Sequence, residues 1–345
     1  MMLTKKMYKS IFLIFFGIIF LTSCESLLPD DLDTFDADTR FTQIVYQPLL
    51  GRDMLMDNNF NPANSSRPFT MKILNLKRSD GSEATELMEK FPVKVWTKAY
   101  LGNESTLEEI KNKRAIEYWP LFSIREHSGA FIMRAKANSS FIKVAPDTGY
   151  TFDVEVSNSG GSKIFYDFKL MPQRERPYEP SNYDPDTGIA QNTFVNPLSV
   201  NNLKGKTSGF EIPQSSVEIT FVKNEDVVEG DKTLTFRFLD SNYMPINPDK
   251  FNRTDWSKLI HGFNMEKTNE FVRYKVAYPI PLISLVTPYT NTSGEKAHVE
   301  FAYDRLNAGG LKEFSNILFD FSIYEEGNWE IIIKFSGETP KFEND

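Results

Sequence analysis

The fold is decided by the segment FDVEVSNSGGSKIFYDFKL, which spans residues 152–170. In its first part, residues 152–156, apolar side chains alternate with acids. In its last part, every second residue is again apolar: Ile164, Tyr166, Phe168 and Leu170. A period of two is typical of a β-strand that turns one face toward a core. Ser159-Gly160-Gly161 lies between the two parts and is a turn signal. The segment therefore predicts an antiparallel hairpin with one apolar face.

The same alternation recurs along the rest of the chain. It is clearest in residues 91–97, 217–221, 234–238, 272–278, 299–303, 317–323 and 329–335. Turn signals such as Asp80-Gly81 and Glu326-Gly327-Asn328 separate these segments. Many short alternating strands are typical of antiparallel sheets that bury one face. We predict an all-β protein, mainly antiparallel, with two β-sandwich-like domains and one or two short helices.

Two segments predict the helices. Ser105-Thr106-Leu107-Glu108 has the spacing of a capping box, and helix-forming residues follow it to about Ile116. Farther along, Thr254-Asp255 is a candidate N-cap pair, and apolar residues at helical spacing follow it: Trp256, Leu259, Ile260 and Phe263. Both helices are too short and too isolated to indicate alternating β-α units.

A proline-rich stretch divides the body of the protein. Residues 172–189 contain four prolines with mixed charges and no periodicity. Proline removes a backbone donor and stiffens the chain, which favours a linker or an exposed loop. We therefore predict an N-terminal β-sandwich-like domain at residues 41–171 and a C-terminal β-rich domain at residues 190–345.

The N-terminus predicts export. Three lysines precede an apolar run from Ile11 to Leu21, and small residues then lead to Cys24. This is the order of a secretory signal peptide, which we place at residues 1–23. The run is shorter than the roughly 20 residues that a membrane-spanning helix needs.

An acidic segment follows the signal peptide. Residues 25–39 carry six acids and no basic side chain, so we predict an extended, solvated tether at residues 24–40. Removal of the signal peptide takes away three lysines and changes the formal charge from −8 to −11. Contacts with nucleic acid require clustered basic side chains, so we expect no nucleic-acid partner. Cys24 is the only cysteine, which leaves stability to a hydrophobic core.

Catalytic motifs are absent from the sequence. The three histidines, His127, His261 and His298, are far apart, and there is no nucleophile elbow or phosphate-binding loop. We therefore predict that the protein is not an enzyme. A glycoside hydrolase with two carboxylates stays open as an alternative, because such a pair is assembled in space and leaves no local spacing.

One loop is similar to the opening of a calcium site. Asp184-Pro185-Asp186-Thr187-Gly188 puts carboxylates at alternate positions before a glycine. The third ligand and the late glutamate of an EF-hand are missing. Asp184 and Asp186 are candidate Ca²⁺ ligands, and the alternative is a proline-rich turn without a metal. We predict no other cofactor.

The candidate ligand-binding residues are Trp96, Tyr100, Lys94 and Lys98. Alternation puts Trp96 on the face opposite the apolar side of its strand, between the two lysines, with Tyr100 next if the strand continues. Flat aromatic rings with polar tips suit the apolar faces of sugars. The alternative is that the helix near Ser105 covers this face.

The end of the signal peptide, Leu21-Thr22-Ser23-Cys24, resembles the lipobox of bacterial lipoproteins. The resemblance implies that Cys24 is acylated and becomes the first residue of the mature chain. The alternative is a chance cysteine near an ordinary cleavage site. Acidic residues just after the cysteine resemble the export signal of Bacteroidota surface lipoproteins. That resemblance implies an outer-membrane protein, anchored by lipid and facing the cell exterior.

Five stretches of the body carry a further resemblance: residues 47–52, 91–96, 124–129, 137–141 and 156–161. They resemble an uncharacterised family of Bacteroidota-type surface lipoproteins, similar to accessory lipoproteins of polysaccharide-utilisation or adhesion systems. The resemblance implies a non-catalytic protein that binds glycan or protein, with an outer-membrane transport complex as a partner. A structural or adhesive surface protein is the alternative. No functional residue beyond Cys24 follows from the resemblance.

Overall fold

The computed structural model describes residues 34–224, 230 and 232–343. Cys24, the predicted signal peptide and most of the predicted tether lie outside these residues. The described part consists mainly of antiparallel β-sheets with two short α-helices, which confirms the predicted all-β class. None of the helices in these residues is long and apolar enough to cross a membrane.

Eleven strands precede the proline-rich stretch in the described chain. They are β1 (Arg40–Phe41), β2 (Val45–Tyr46), β3 (Met54–Met56), β4 (Phe60–Asn61), β5 (Thr70–Arg78), β6 (Lys90–Trp96), β7 (Arg114–Pro120), β8 (Phe122–Ile124), β9 (Phe131–Met133), β10 (Tyr150–Asn158) and β11 (Gly161–Leu170).

Two of their sheets enclose an N-terminal core. One contains four strands in the order β2, β11, β10 and β5, and the other contains β3, β9 and β8. Aromatic rings fill the space between them: the ring centroid of Phe131 lies 5.3 Å from that of Phe152 and 4.7 Å from that of Tyr46. Burial of one such side chain contributes about 1.5–3 kcal/mol, so this aromatic layer holds the two sheets together.

The hairpin predicted from residues 152–170 is present. β10 and β11 pair in antiparallel register from Tyr150 opposite Leu170 to Asn158 opposite Gly161. Tyr150, Phe152, Val154 and Val156 of β10 are all buried in the core. The alternation of β10 therefore predicted both the strand and its buried face.

The second strand of this hairpin departs from the prediction. The register shifts between Phe152 and Val154, and Asp167 takes a positive φ of 65°, as in a β-bulge. Asp153 accepts hydrogen bonds from the Asp167 backbone N–H at 3.2 Å and from Asn75 Nδ2 at 2.8 Å. Before the bulge, the residues of β11 that face the core are not the ones in step with Phe168 and Leu170. Ile164 and Tyr166 therefore point to solvent. The predicted single apolar face was wrong at these two residues.

Nine strands follow in the rest of the described chain. They are β12 (Tyr178–Glu179), β13 (Ser199–Asn201), β14 (Val217–Asn224), β15 (Thr233–Leu239), β16 (Phe263–Lys267), β17 (Phe271–Lys275), β18 (Ala297–Leu306), β19 (Lys312–Ile323) and β20 (Asn328–Phe335). Short 3-10 helices occupy Gln214–Ser216, Pro248–Lys250 and Trp256–Lys258.

These strands build a second sandwich. A five-stranded sheet has the order β14, β20, β15, β17 and β16, with β15 and β20 parallel. The facing sheet is centred on β19, which pairs with β12, β13 and β18. Phe238 of β15 lies 5.0 Å from Phe301 of β18 between ring centroids, and Phe221 of β14 lies 6.0 Å from Phe319 of β19. The second core is therefore also an aromatic layer between two sheets.

The two α-helices are α1 (Thr85–Met88) and α2 (Leu107–Lys111). The N-cap of α2 is Thr106, whose Oγ1 accepts a hydrogen bond from the Glu109 backbone N–H at 3.2 Å, while Glu109 Oε2 accepts from the Ser105 N–H at 2.8 Å. The capping box therefore lies one residue later than predicted. The helix ends at Lys111 rather than near Ile116, because the chain then enters β7. The second predicted helix is only a 3-10 turn.

Residues 34–40, the predicted end of the tether, pack on the body. Phe35 lies 6.1 Å from Phe69 between ring centroids, and Thr39 is buried. These contacts hold residues 34–40 against the body, and the rest of the predicted tether, residues 24–33, lies outside the described residues.

The proline-rich stretch is a structured connection. Within it, β12 pairs with β19, and Tyr178 stacks on Phe221 at 4.1 Å between ring centroids. Before it, Arg52 donates a hydrogen bond to Glu179 at 2.9 Å and lies 3.4 Å from the Tyr324 ring centroid. These contacts tie the two sandwiches together, and the domain boundaries at 41–171 and 190–345 stay a prediction.

Candidate functional site

The β6–β7 hairpin lies against the C-terminal half of the protein. Tyr100 and Ile110, in the segment that joins its strands, form a buried cluster with Leu282. Opposed residues of antiparallel strands share a face, and so do alternate residues. One face therefore carries the pairs Trp96 and Arg114, Lys94 and Ile116, and Pro92 and Tyr118. We call these six residues the ribbon face.

A cleft of about 310 Å³ opens between the ribbon face, α2 and the C-terminal half. Small-molecule sites start at roughly this volume, about 300 Å³. Its apolar lining includes Leu107, Ile110, Ile116, Val276 and Tyr278, and its charged lining consists of Lys94, Lys111, Arg114, Lys232 and Glu326. Among the described lining residues, cations outnumber acids four to one. Four acids next to Lys232 in the sequence lie outside the described residues: Glu225, Asp226, Glu229 and Asp231.

Arg114 is fixed in the cleft by a stack and a hydrogen bond. Its Cζ lies 4.3 Å from the ring centroid of Trp96, and its Nη1 donates to the Tyr278 carbonyl oxygen at 2.8 Å. Its Nη2 is buried and has no hydrogen-bond partner among the described residues. Burial lowers the pKa of Arg114 from its ordinary value, and Glu326 acts in the opposite direction. A guanidinium held in this way is a pre-positioned positive group, for which a carboxylate is a matching ligand.

Lys94 already binds one carboxylate. Its Nζ donates to Glu326 Oε2 at 2.7 Å, and the two side chains are 51% and 49% exposed. An ion pair this exposed contributes about 0–1 kcal/mol, because water and salt screen it. The pair shows that the cleft accommodates a carboxylate next to Lys94 and that this carboxylate is easily displaced.

One buried carboxylate organises the segment between β6 and β7. Glu104 accepts hydrogen bonds from the backbone N–H groups of Leu101 at 2.9 Å and Gly102 at 3.0 Å, and it pairs with Lys113. Burial acts to raise the pKa of Glu104, but the hydrogen bonds outweigh it and lower the pKa to about 2. The ionised carboxylate therefore fixes the segment that carries α2 to the edge of the cleft.

His261 joins this segment to the C-terminal half. Its Nε2 lies 2.8 Å from the Glu104 carbonyl oxygen, which only accepts hydrogen bonds, so Nε2 donates and Nδ1 accepts from the Tyr100 hydroxyl. The ring stacks on Tyr289 with 4.8 Å between centroids. A neighbouring cavity of about 30 Å³ has room for roughly one water and none for a sugar. His261 thus has a structural role beside the cleft.

Trp96 and Tyr100 lie together, with 5.5 Å between ring centroids, but the pair is not exposed as predicted. Trp96 is half-buried beneath Arg114, and Tyr100 is 8% exposed. β6 ends at Trp96, so the alternation does not extend to Tyr100. Of the two predicted lysines, Lys94 lines the cleft, whereas Lys98 is exposed beyond the end of the strand. Trp96 therefore supports Arg114 rather than offering an open ring, and a binding role for Lys98 stays a prediction.

Sequence reasoning missed Arg114, Glu326 and Tyr118. Lys94 and Glu326 lie 232 positions apart, so no local spacing connects them. The usable signal was the alternation of residues 114, 116 and 118 after α2. The strand β7 was not predicted, because its first residues were assigned to a helix that was expected to continue to Ile116.

Asp184 and Asp186 lie in a turn that Asp184 closes. Asp184 Oδ1 accepts hydrogen bonds from the backbone N–H groups of Asp186 at 3.0 Å and Thr187 at 2.8 Å, and Oδ2 accepts from Gln191 Nε2 at 2.9 Å. This is the local bonding of an Asx turn. In the part of the chain that the structure describes, no group of three acids, histidines or cysteines is placed to hold a metal ion. The geometry favours the metal-free turn, and calcium binding stays a prediction.

The other two histidines lie away from the cleft. His127 Nδ1 is 2.8 Å from the Phe69 carbonyl oxygen, and His298 Nδ1 is 2.6 Å from Asp320 Oδ1 across the β18–β19 pair. His127 lies in the turn between β8 and β9, and His298 lies on β18. The described histidines therefore do not assemble into a common site.

The family of the chain follows from its sequence match. Residues 60–344 match a family described as a domain of unknown function, DUF5007. The match includes the C-terminal core, every wall of the cleft and the part of the N-terminal core that follows residue 59, whereas Tyr46 and strands β2 and β3 precede it. No protein with a curated description matches the chain. The protein belongs to the DUF5007 family.

Proposed function

We propose that the protein is a non-catalytic, lipid-anchored surface protein of the outer membrane that binds glycan as an accessory of a nutrient-uptake system. The observation that carries the binding part is the cleft beside the ribbon face. It combines apolar side chains with one fixed guanidinium, Arg114, and further charged groups, which is the lining that small polar ligands with apolar faces require.

The anchoring part rests on the resemblance of residues 21–24 to a lipobox. Several acyl chains on one residue give stable membrane attachment, since each buried methylene contributes about 0.8 kcal/mol. We expect Cys24→Ala to abolish incorporation of a fatty-acid analogue during growth. Unchanged labelling of the variant would contradict the anchor.

The non-catalytic part rests on the acids of the cleft. Glycoside hydrolases use two carboxylates about 5–9.5 Å apart across the scissile bond. The described lining contains one acid, Glu326, and Lys94 neutralises it. Among the described lining residues, the cleft therefore offers no such carboxylate pair.

The test is affinity electrophoresis of the mature chain, without its lipid, against a panel of neutral and acidic polysaccharides. We expect at least one polysaccharide to retard the protein and Lys94→Ala to reduce the retardation. Lys72→Ala is the matched control, because Lys72 also lies on a strand and pairs with a carboxylate, Glu155, at 2.6 Å. Failure of every polysaccharide to retard the protein would reject glycan binding and favour the structural or adhesive alternative.

A further inference from the structure

The ribbon face continues beyond the cleft and ends in an exposed aromatic ring. Tyr118 follows Arg114 and Ile116 at alternate positions of β7 and is 64% exposed. Four residues of an antiparallel strand span about 14 Å at roughly 3.4 Å per residue. The fixed guanidinium and the exposed ring therefore lie on one face, separated by more than the width of a single sugar.

We infer that the cleft takes an acidic oligosaccharide, with a carboxylate against Lys94, Arg114 and Lys232 and a more distant sugar ring of the same oligosaccharide on Tyr118. This inference rests on the proposed function, because it specifies the ligand of the same cleft.

The charge of the ligand follows from the described lining. Lys94, Arg114 and Lys232 reach the cleft from β6, β7 and the C-terminal half. A ligand carboxylate can form ion pairs with these positive groups, as the Glu326 carboxylate does with Lys94 in the protein itself. Glu326 is then a competitor of the ligand rather than a contact, since both need the same ammonium group.

The extended shape of the ligand follows from the ribbon face. Ile116 is 56% exposed between Arg114 and Tyr118, so the surface that connects cleft and ring is apolar and open. Sugar rings pack their C–H faces on such aromatic and aliphatic surfaces. A monosaccharide fills the cleft alone, whereas an oligosaccharide also contacts Tyr118.

The experiment is calorimetric titration of the full mature chain with galacturonate, mannuronate and hyaluronate oligomers, and with neutral galactose and mannose oligomers of equal length. We expect an acidic oligomer to bind and its affinity to fall as salt rises, because salt screens the ion pairs. Lys94→Ala weakens binding about tenfold and Glu326→Gln strengthens it. Tyr118→Ala weakens binding of long oligomers about three- to tenfold, the range typical of an aromatic contact, and leaves the monosaccharide unaffected.

Two matched controls and a peptide probe complete the design. Tyr166 is 61% exposed on β11, so Tyr166→Ala removes an equally exposed ring from another hairpin. Lys72→Ala removes a paired lysine from β5, a strand of the N-terminal sheet that pairs with β10. Both leave affinity unchanged if the site is correct. Poly-L-glutamate tests whether charge alone is recognised.

Each contrary outcome has its own meaning. Equal, salt-independent affinity for neutral and acidic oligomers would overturn the acidic ligand and leave glycan binding in place. Equal binding of poly-L-glutamate would overturn the saccharide and identify an acidic peptide instead. Equal effects of the Tyr118 and Tyr166 variants would overturn the extended contact. Absence of binding by every saccharide, acidic or neutral, would reject both this inference and the proposed function.

Discussion

The hairpins β10–β11 and β6–β7 are both antiparallel ribbons with alternating sequences, yet their burial differs. In β10, all the inward residues from Tyr150 to Val156 are at most 1% exposed. In β6 and β7 together, only Val93 is buried. One hairpin is the centre of a sandwich, and the other lies between a sandwich and the C-terminal half with charges and rings exposed.

The difference between the hairpins shows how much structural information a period of two contains. Alternation predicts a strand with two distinct faces, but which face is covered depends on what packs against it. In β10–β11 the facing sheet supplies the cover. In β6–β7 the cover is partial, and it leaves a cleft lined by residues from both halves of the protein. The first hairpin is suited to stability, and the second is the one to which we assign the proposed ligand binding.

The largest effect is expected in the core hairpin. Phe152→Ala removes a ring that lies between Phe122, Phe131 and Phe168. Loss of a buried phenylalanine costs about 3–5 kcal/mol of unfolding free energy, because a cavity remains. Denaturant unfolding measures the change. A loss below about 1 kcal/mol would contradict the assignment of this hairpin as the core.

The next effect concerns the carboxylate that holds the segment before β7. Because the folded pKa of Glu104 is about 2 and its ordinary value is 4.5, its stabilisation is complete above pH 4.5 and is lost as pH falls toward 2. That difference corresponds to about 3 kcal/mol. We expect Glu104→Gln to lower stability at neutral pH and to flatten the acid limb of the stability curve. An acid limb identical to that of the unmodified protein would contradict this role.

A smaller effect is expected at Trp96. The ring is half-buried and stacks with the Arg114 guanidinium, so Trp96→Ala should cost about 1–3 kcal/mol, less than a core ring. Trp96→Phe keeps an aromatic surface for Arg114 and should retain most of the stability. Thermal melts of the two variants provide the comparison. A loss at Trp96→Ala as large as that of Phe152→Ala would place this ring in the core.

The smallest effect is expected at the exposed rings. Tyr118→Ala and Tyr166→Ala should each change unfolding free energy by less than about 0.5 kcal/mol, since neither ring is buried. Denaturant unfolding of both variants measures the change. If the two variants are equally stable, a difference between them in ligand affinity reflects the position of the lost ring and not a loss of folding. A large loss of stability at Tyr118 would show that its ring is covered.

The sequence predicted the elements better than their surroundings. The alternation of residues 152–156 predicted a buried strand correctly, because β10 lies between two neighbouring strands, β11 and β5, and keeps its alternate residues on one face. It failed at Ile164 and Tyr166 because the strand contains a bulge at Asp167, whose backbone N–H donates a hydrogen bond to the Asp153 carboxylate on the neighbouring strand. Local alternation carries no information about such a register shift.

The candidate site was predicted only in part. Lys94 and Trp96 were selected from their own strand: Lys94 lines the cleft, and Trp96 stacks with Arg114, which also lines it. Arg114 was assigned to a helix, because the true helix stops at Lys111 and the capping box alone does not set its length. Glu326 reaches the cleft through its ion pair with Lys94, 232 positions away, and no local sequence pattern predicts such a contact.

The most direct test of the contrast between the hairpins is hydrogen–deuterium exchange of the mature chain with and without the tightest-binding saccharide from the titrations. Ligand bound on the ribbon face shields the backbone of the residues that it contacts and slows their local opening. We predict slower exchange in peptides from residues 90–120 and 276–278, with residues 150–170 unchanged. Protection elsewhere without any change in residues 90–120 would contradict the account.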